Sequence, residues 1–247
     1  MKAVLFVGHG TRSKKGAIEA IHFIESIMEK IQVDIQELSF LELTSPTIDE
    51  GFLRCVERGA TEITVVPILL LTAGHMKKDI PEVIRSLQEQ YPHINVFLKD
   101  AFGVQEEIID AMADLVLQAV PDLTKEDALL IVGRGSSEPD VHNAFSKIEK
   151  GIQTRLKFSA ISTCYLAAAK PTFQEGLENI LEKRKNRVIV IPYLLFSGLL
   201  LSEINQRCKK FGTKIIQVEP LSRHDAMRNV VVRSVLEVKK CKRLCLI

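Results

Sequence analysis

A segment of eight residues near the start of this chain returns later on with five of them unchanged. Ala3-Val-Leu-Phe-Val-Gly-His-Gly10 recurs as Ala128-Leu-Leu-Ile-Val-Gly-Arg-Gly135, 125 residues further along. Two more landmarks keep the same spacing: Pro46-Thr47 with Glu50-Gly51 returns as Pro171-Thr172 with Glu175-Gly176, and Val65-x-Pro67-x-Leu69-Leu70 as Val190-x-Pro192-x-Leu194-Leu195. A repeat of this length makes the chain two copies of one supersecondary scheme rather than one large irregular domain.

Within each copy, short β-rich runs alternate with longer segments of helical period, the pattern of a parallel sheet wrapped by helices. The first half predicts strands near 3–8, 35–41, 62–69 and 94–98, and helices near 16–31, 47–58, 79–90 and 105–118. Asp79 and Pro81 suit the start of the third helix. The polar stretch 121–127 reads as the linker. The expected fold is therefore α/β: two flavodoxin-like domains with parallel sheets, 1–122 and 123–247, facing each other across a cleft.

Several function classes are set aside early. The formal net charge is only +2, and no basic block is present to meet nucleic acid. Residues 3–7 are too short an apolar run for a signal peptide. The apolar stretch 188–201 contains Pro192 and Gly198 and is shorter than the ~18 residues of a membrane span. It reads as a buried strand leading into an apolar loop. Cys55, Cys164, Cys208, Cys241 and Cys245 lack zinc-knuckle or redox spacing, so reduced thiols in a cytosol are expected. The expectation is a cytoplasmic monomer with no membrane or nucleic-acid partner.

In open parallel sheets, ligands bind beyond the carboxyl ends of the strands. His9 follows the first strand, Glu42 the second, and His75 the third, so all three belong on one edge. Two imidazoles and a carboxylate suit Fe(II), Co(II), Ni(II) or Zn(II) and leave positions open for water or substrate. The repeat supplies an internal control. The counterparts are Arg134, Ala167 and Leu200: all three ligand types vanish together while the Gly, Pro and Leu framework persists, as one asymmetric site requires. His22, His93, His142 and His224 fall in polar helical or loop contexts and are read as surface residues.

Gly133-Arg-Gly-Ser-Ser137 precedes a helix start near 136–140, where backbone N–H groups and the Ser136 and Ser137 hydroxyls can receive an anion; a tight strand-to-helix turn would demand the same small residues. It is not a dinucleotide fingerprint, since the third glycine and the distal acid are missing. Arg12 and Arg134 suit a carboxylate partner because guanidinium binds it with two hydrogen bonds, whereas Lys77 and Lys78 read equally well as solvated charges.

These motifs resemble the class II chelatases of siroheme and cobalamin synthesis, in particular the double-length sirohydrochlorin ferrochelatases. The matching pieces are Val7-Gly-His-Gly-Thr-Arg12, Ser39-Phe-Leu-Glu-Leu43, Val66-Pro-Ile-Leu-Leu-Leu-Thr-Ala-Gly-His75, Ile80-Pro81, Gly133-Arg-Gly-Ser-Ser-Glu-Pro-Asp140 and Ile191-Pro-Tyr-Leu-Leu-Phe-Ser-Gly198. The resemblance implies ATP-independent insertion of Fe(II) into sirohydrochlorin. His9, Glu42 and His75 would be the catalytic metal contacts, with His9 also the proton acceptor. Thr11, Arg12, Leu70, Leu71, Thr72, Ala73, Gly74, Arg134, Ser136 and Ser137 would bind substrate, and Leu69 to Leu71 and Leu199 to Leu201, read as apolar loops, would pack on the ring. It implies no tightly bound cofactor, the divalent metal being substrate. A cobaltochelatase or nickel chelatase, or a metal or tetrapyrrole carrier without turnover, stays open. A non-haem Fe(II) oxygenase uses the same ligands but commonly on β-barrels. The tail carries no His-rich run or iron–sulfur motif, which favours the siroheme assignment.

Overall fold

The computed structural model describes residues 1–158, 160–183, 186–237 and 241–243. The first repeat runs β1 (Lys2–Gly8), α1 (Lys14–Met28), β2 (Ile35–Phe40), α2 (Ile48–Glu57), β3 (Glu62–Pro67), a π-helical turn (His75–Asp79), α3 (Ile80–Gln90), β4 (Asn95–Lys99) and α4 (Glu106–Ala119). The second runs β5 (Ala128–Gly133), α5 (Pro139–Arg155), β6 (Ala160–Tyr165), α6 (Phe173–Lys183), β7 (Val188–Pro192), α7 (Leu199–Lys209), β8 (Ile215–Gln217) and α8 (Asp225–Leu236), and β9 (Cys241–Arg243) closes the described chain.

One sheet has the order β2-β1-β3-β4-β9 and the other β6-β5-β7-β8. Every pairing is parallel except β9, which lies antiparallel on β4. That edge strand departs from the purely parallel sheet expected. The central strands β1, β5 and β7 are buried along nearly their whole length, as strands covered on both faces must be. In both sheets the order reverses beside the first strand of the repeat, the position at whose carboxyl end open parallel sheets bind their ligands.

The landmark motifs have structural reasons. Thr47 caps α2, its hydroxyl accepting from the Glu50 N–H while Glu50 accepts from the Thr47 N–H. Thr172 and Glu175 form the same reciprocal pair before α6, each cap contributing about 1 kcal/mol. Gly51 is required because a Cβ there would lie 2.8 Å from Leu5 Cδ1; at Gly176 it would meet Cys164 Cβ at 2.6 Å. Helix and sheet touch at both glycines.

The compact units do not follow the expected division at 122 and 123. One unit comprises Met1–Gly103 with Arg228–Ile247, the other Val104–Met227. The last helix of each repeat is thus exchanged. In the second unit α4 packs on α5, where Arg155 pairs with Glu106 and Asp110. In the first, Arg228 of α8 donates to Ser26 of α1 at 3.0 Å and lies over the Phe23 ring. The stretch 121–127 therefore lies inside the second unit and is not a linker between units. Asp127 within it is buried and ion-paired with Arg187.

Three local expectations are also corrected. Asp79 and Pro81 do stand at the start of α3 as expected, but Asp79 does not cap it: its backbone is helical, its side chain makes no capping bond, and the helical path already begins at His75. Leu199, Leu200 and Leu201 form the first turn of α7 rather than a loop. His142 and His224 are half-buried, His142 against the edge of Tyr165 and His224 accepting from the Ala226 N–H and facing Asp114, while His22 and His93 are exposed. Cys55, Cys164 and Cys208 are free, buried thiols. Cys245 and most of the tail lie outside the described residues. Among those residues no helix is long and apolar enough to cross a membrane.

Candidate metal centre

The three sequence-nominated ligands converge. Parallel register aligns Gly8 with Phe40 and Val7 with Pro67, so the chain leaves β1, β2 and β3 at one edge. The ladder then continues past the strand ends, with the Glu42 N–H bonded to the His9 carbonyl at 3.1 Å. That approach requires Gly10, which has φ +91° and whose absent Cβ would fall 1.6 Å from the Glu42 carbonyl oxygen. Leu43 turns the chain away at φ +62°, its side chain exposed. The Thr44 hydroxyl then both accepts from the Thr11 N–H and donates to the Thr11 carbonyl, at 3.0 Å each.

His75 opens the π-helical turn on the third strand's loop. The His9 and His75 rings meet edge to face, 4.5 Å between centroids, with the two Nε2 atoms 2.9 Å apart. Glu42 Oε1 is 3.7 Å from His9 Nε2, and one ligand atom from each residue lies within 4.8 Å of the others.

The hydrogen bonds fix what these atoms offer. His9 Nδ1 lies 3.0 Å from the Gly10 carbonyl oxygen, and His75 Nδ1 lies 2.6 Å from Asp79 Oδ2. Both partners only accept, so each ring donates through Nδ1 and turns its Nε2 toward the other. Two imidazole nitrogens and a carboxylate brought this close are held together by a proton shared between the nitrogens or by a metal cation among all three. With metal–nitrogen bonds of about 2.1 Å, nitrogens 2.9 Å apart subtend about 90°, narrower than a tetrahedral site would set and suited to a centre with cis positions still open.

The other nominated residues separate into two groups. Thr11 is half-buried and its hydroxyl accepts from the Ser13 N–H, while Arg12 is exposed. Leu70, Leu71, Thr72 and Ala73 are half-buried and Gly74 is exposed, all in the loop that delivers His75. Arg134, Ser136 and Ser137 belong to the second unit. There they occupy the equivalent turn, with Ser136 Oγ accepting from the Glu138 N–H. That turn keeps the backbone of the first: Gly135 has φ +92°, Ala168 has φ +54°, and the Ala167 N–H bonds the Arg134 carbonyl at 2.8 Å. The cradle is duplicated and its side-chain chemistry is not. Sequence reasoning missed Thr44 and Asp79. The second had a signal, an acid four residues after a histidine in a helical stretch.

Fold and site together define a two-repeat α/β protein with a candidate metal centre of two histidines and one glutamate at a sheet's switch point. The CbiX family model matches residues 3–119 and again residues 128–238, and this chain belongs to the CbiX family. It is 42% identical to the sirohydrochlorin ferrochelatase of Priestia megaterium over 95% of this chain and 90% of that protein. With a sirohydrochlorin cobaltochelatase of Priestia megaterium it shares 32% identity over 89% of this chain and 72% of the relative. A solved structure of SirB from Bacillus subtilis with Fe3+ superposes with TM-score 0.85 at 36% identity, covering 96% of this chain and 94% of that one.

Proposed function

We propose that this chain is a sirohydrochlorin ferrochelatase, inserting Fe(II) into the macrocycle without ATP. The observation that carries the reading is the convergence of the His9 and His75 Nε2 lone pairs with Glu42 on one open edge. The similarity to a ferrochelatase, higher and more complete than to a cobaltochelatase, supports iron as the metal.

His9, Glu42 and His75 hold the metal through few enough bonds that pyrrole nitrogens replace first water and then the protein ligands. Two pyrrole protons leave as M²⁺ enters. The Nε2 lone pair that His9 then frees accepts one and the Nε2 lone pair freed on His75 accepts the other, each ring passing its proton on to solvent. Arg12 and Thr11, with the loop Leu70, Leu71, Thr72, Ala73 and Gly74, meet the substrate from the first unit. Arg134, Ser136 and Ser137 supply a cation and hydroxyls for a peripheral carboxylate. The enzyme acts in the cytoplasm as a monomer and needs no further cofactor.

The test is an anaerobic absorbance assay of sirohydrochlorin with Fe(II), Co(II) or Ni(II), for the wild type and His9→Ala. Many turnovers, fastest with Fe(II) and lost in the variant, are expected. Stoichiometric binding without turnover would make the chain a carrier, and a preference for Co(II) or Ni(II) would reassign the metal.

A further inference from the structure

We infer that Asp79 is the positioning residue of this centre: by accepting a hydrogen bond from the His75 Nδ1–H it fixes the tautomer and ring angle that turn His75 Nε2 toward the metal. The inference rests on the reading of His75 as a metal ligand.

Asp79 stands where an acid ordinarily caps a helix, just before α3, yet it makes no capping bond and its carboxylate goes to His75 at 2.6 Å. Only a deprotonated Nε2 can bind a metal, and a carboxylate on the opposite nitrogen selects that tautomer while making the lone pair more basic.

The repeat shows that the turn is built for this pair. Met76 and Leu201 are both buried at the usual spacing of 125 residues, but further along the buried partners become Ile80 with Ile204 and Ile84 with Cys208, a spacing of 124. The first repeat therefore carries one extra residue between Met76 and Ile80. The Ile80 N–H bonds the His75 carbonyl across that widened π turn, whereas α7 is α-helical from Leu199 onward. One-residue π insertions gather at functional sites. Here the insertion keeps Ile80 in the core and sets the acid four residues after His75 instead of three. In the second repeat the acid before Ile204 is Glu203, three residues after Leu200. It accepts from Arg207 at 2.6 Å. Where the imidazole is absent, the widened turn and the acid–imidazole pair are absent with it.

The experiment is anaerobic Co(II) titration, read by its visible absorption, of the wild type, Asp79→Ala, His75→Ala and the double variant, with thermal unfolding of each metal-free protein. Asp79→Ala alone should weaken Co(II) binding by about 10- to 100-fold with an unchanged unfolding midpoint. In the His75→Ala background it should have no further effect, because it acts through that ring. The inference is overturned if Asp79→Ala binds Co(II) like the wild type while His75→Ala does not. It is equally overturned if the same loss recurs in the His75→Ala background, or if the loss follows a fall in the unfolding midpoint. If His75→Ala itself binds Co(II) normally, the reading of the metal centre fails first, and this inference with it.

Discussion

Gly10 lies so close to Glu42 that a side chain at position 10 would place its first carbon 1.6 Å from the Glu42 carbonyl oxygen. Gly135 stands in the same relation to Ala167, at 1.9 Å. Both glycines have φ near +90°, where an L side chain is strained whatever the space. The two substitutions should therefore cost similar stability, about 2 kcal/mol or more each. They should differ in function. Gly10→Ala pushes away the backbone that carries Glu42 and should lose Co(II) binding, whereas Gly135→Ala should keep it. Urea unfolding beside Co(II) titration checks this, and equal loss of binding in both variants would contradict an asymmetric site.

The proposed roles of Glu42 and Arg134 predict separable defects. Glu42→Gln keeps the shape but removes the charge facing His9 at 3.7 Å, and should weaken Co(II) binding by about tenfold or more, or 1.4 kcal/mol. Arg134→Leu should leave Co(II) binding intact and raise the KM for sirohydrochlorin by about tenfold, through one lost charged hydrogen bond. Steady-state kinetics with metal and macrocycle varied in turn would separate the two, and a metal defect in Arg134→Leu would refute the assignment.

The thiols yield a chemical prediction. Burial pushes Cys55 and Cys164 up to about 12 and Cys208 to about 11, the negative Glu37 adding to the effect at Cys55 and Cys208 adding to it at Cys164. The thiolate is the reactive form. These three cysteines should resist alkylation in the native protein at pH 8 and react only after denaturation, as peptide mapping would show. Native labelling of Cys164 would mean that its strand is far more open than its burial indicates.

The strand ends and the repeat were legible because burial on both faces of a parallel sheet writes continuous apolar runs, and because His9, Glu42 and His75 each follow one. Most predicted element limits lie within a few residues of those observed. The helix exchange was not legible. Periodicity in α4 and α8 marks which face is buried, but either sheet offers an apolar surface, and the choice is tertiary. The π turn was hidden for a related reason: a one-residue shift appears only when the buried positions of α3 and α7 are compared, and Asp79 beside Pro81 imitates an ordinary helix start.

The buried ion pair at the foot of β5 makes stability depend on pH with a definite sign. Burial by itself would raise the Asp127 carboxyl, but hydrogen bonds from Arg187 and Thr124 outweigh it and hold the group below its ordinary value. Arg187 donates to Asp127 at 2.8 and 3.0 Å and to Asp122 at 2.9 Å. A carboxyl depressed in the folded state contributes stability that is fully present above its unfolded pKa of about 3.9. That contribution is lost as pH falls through the lower folded value. Removing the guanidinium strands a buried carboxylate, so Arg187→Ala should lower the melting midpoint at pH 7 by about 5 °C. In the variant Asp127 moves toward or above its unfolded value, and the acid-side fall in stability below pH 4 should become shallower than in the wild type. Melting curves from pH 7 to pH 3 test both effects. If the two proteins lose stability in parallel, the acid sensitivity resides in other carboxyls and Arg187 is an ordinary surface cation.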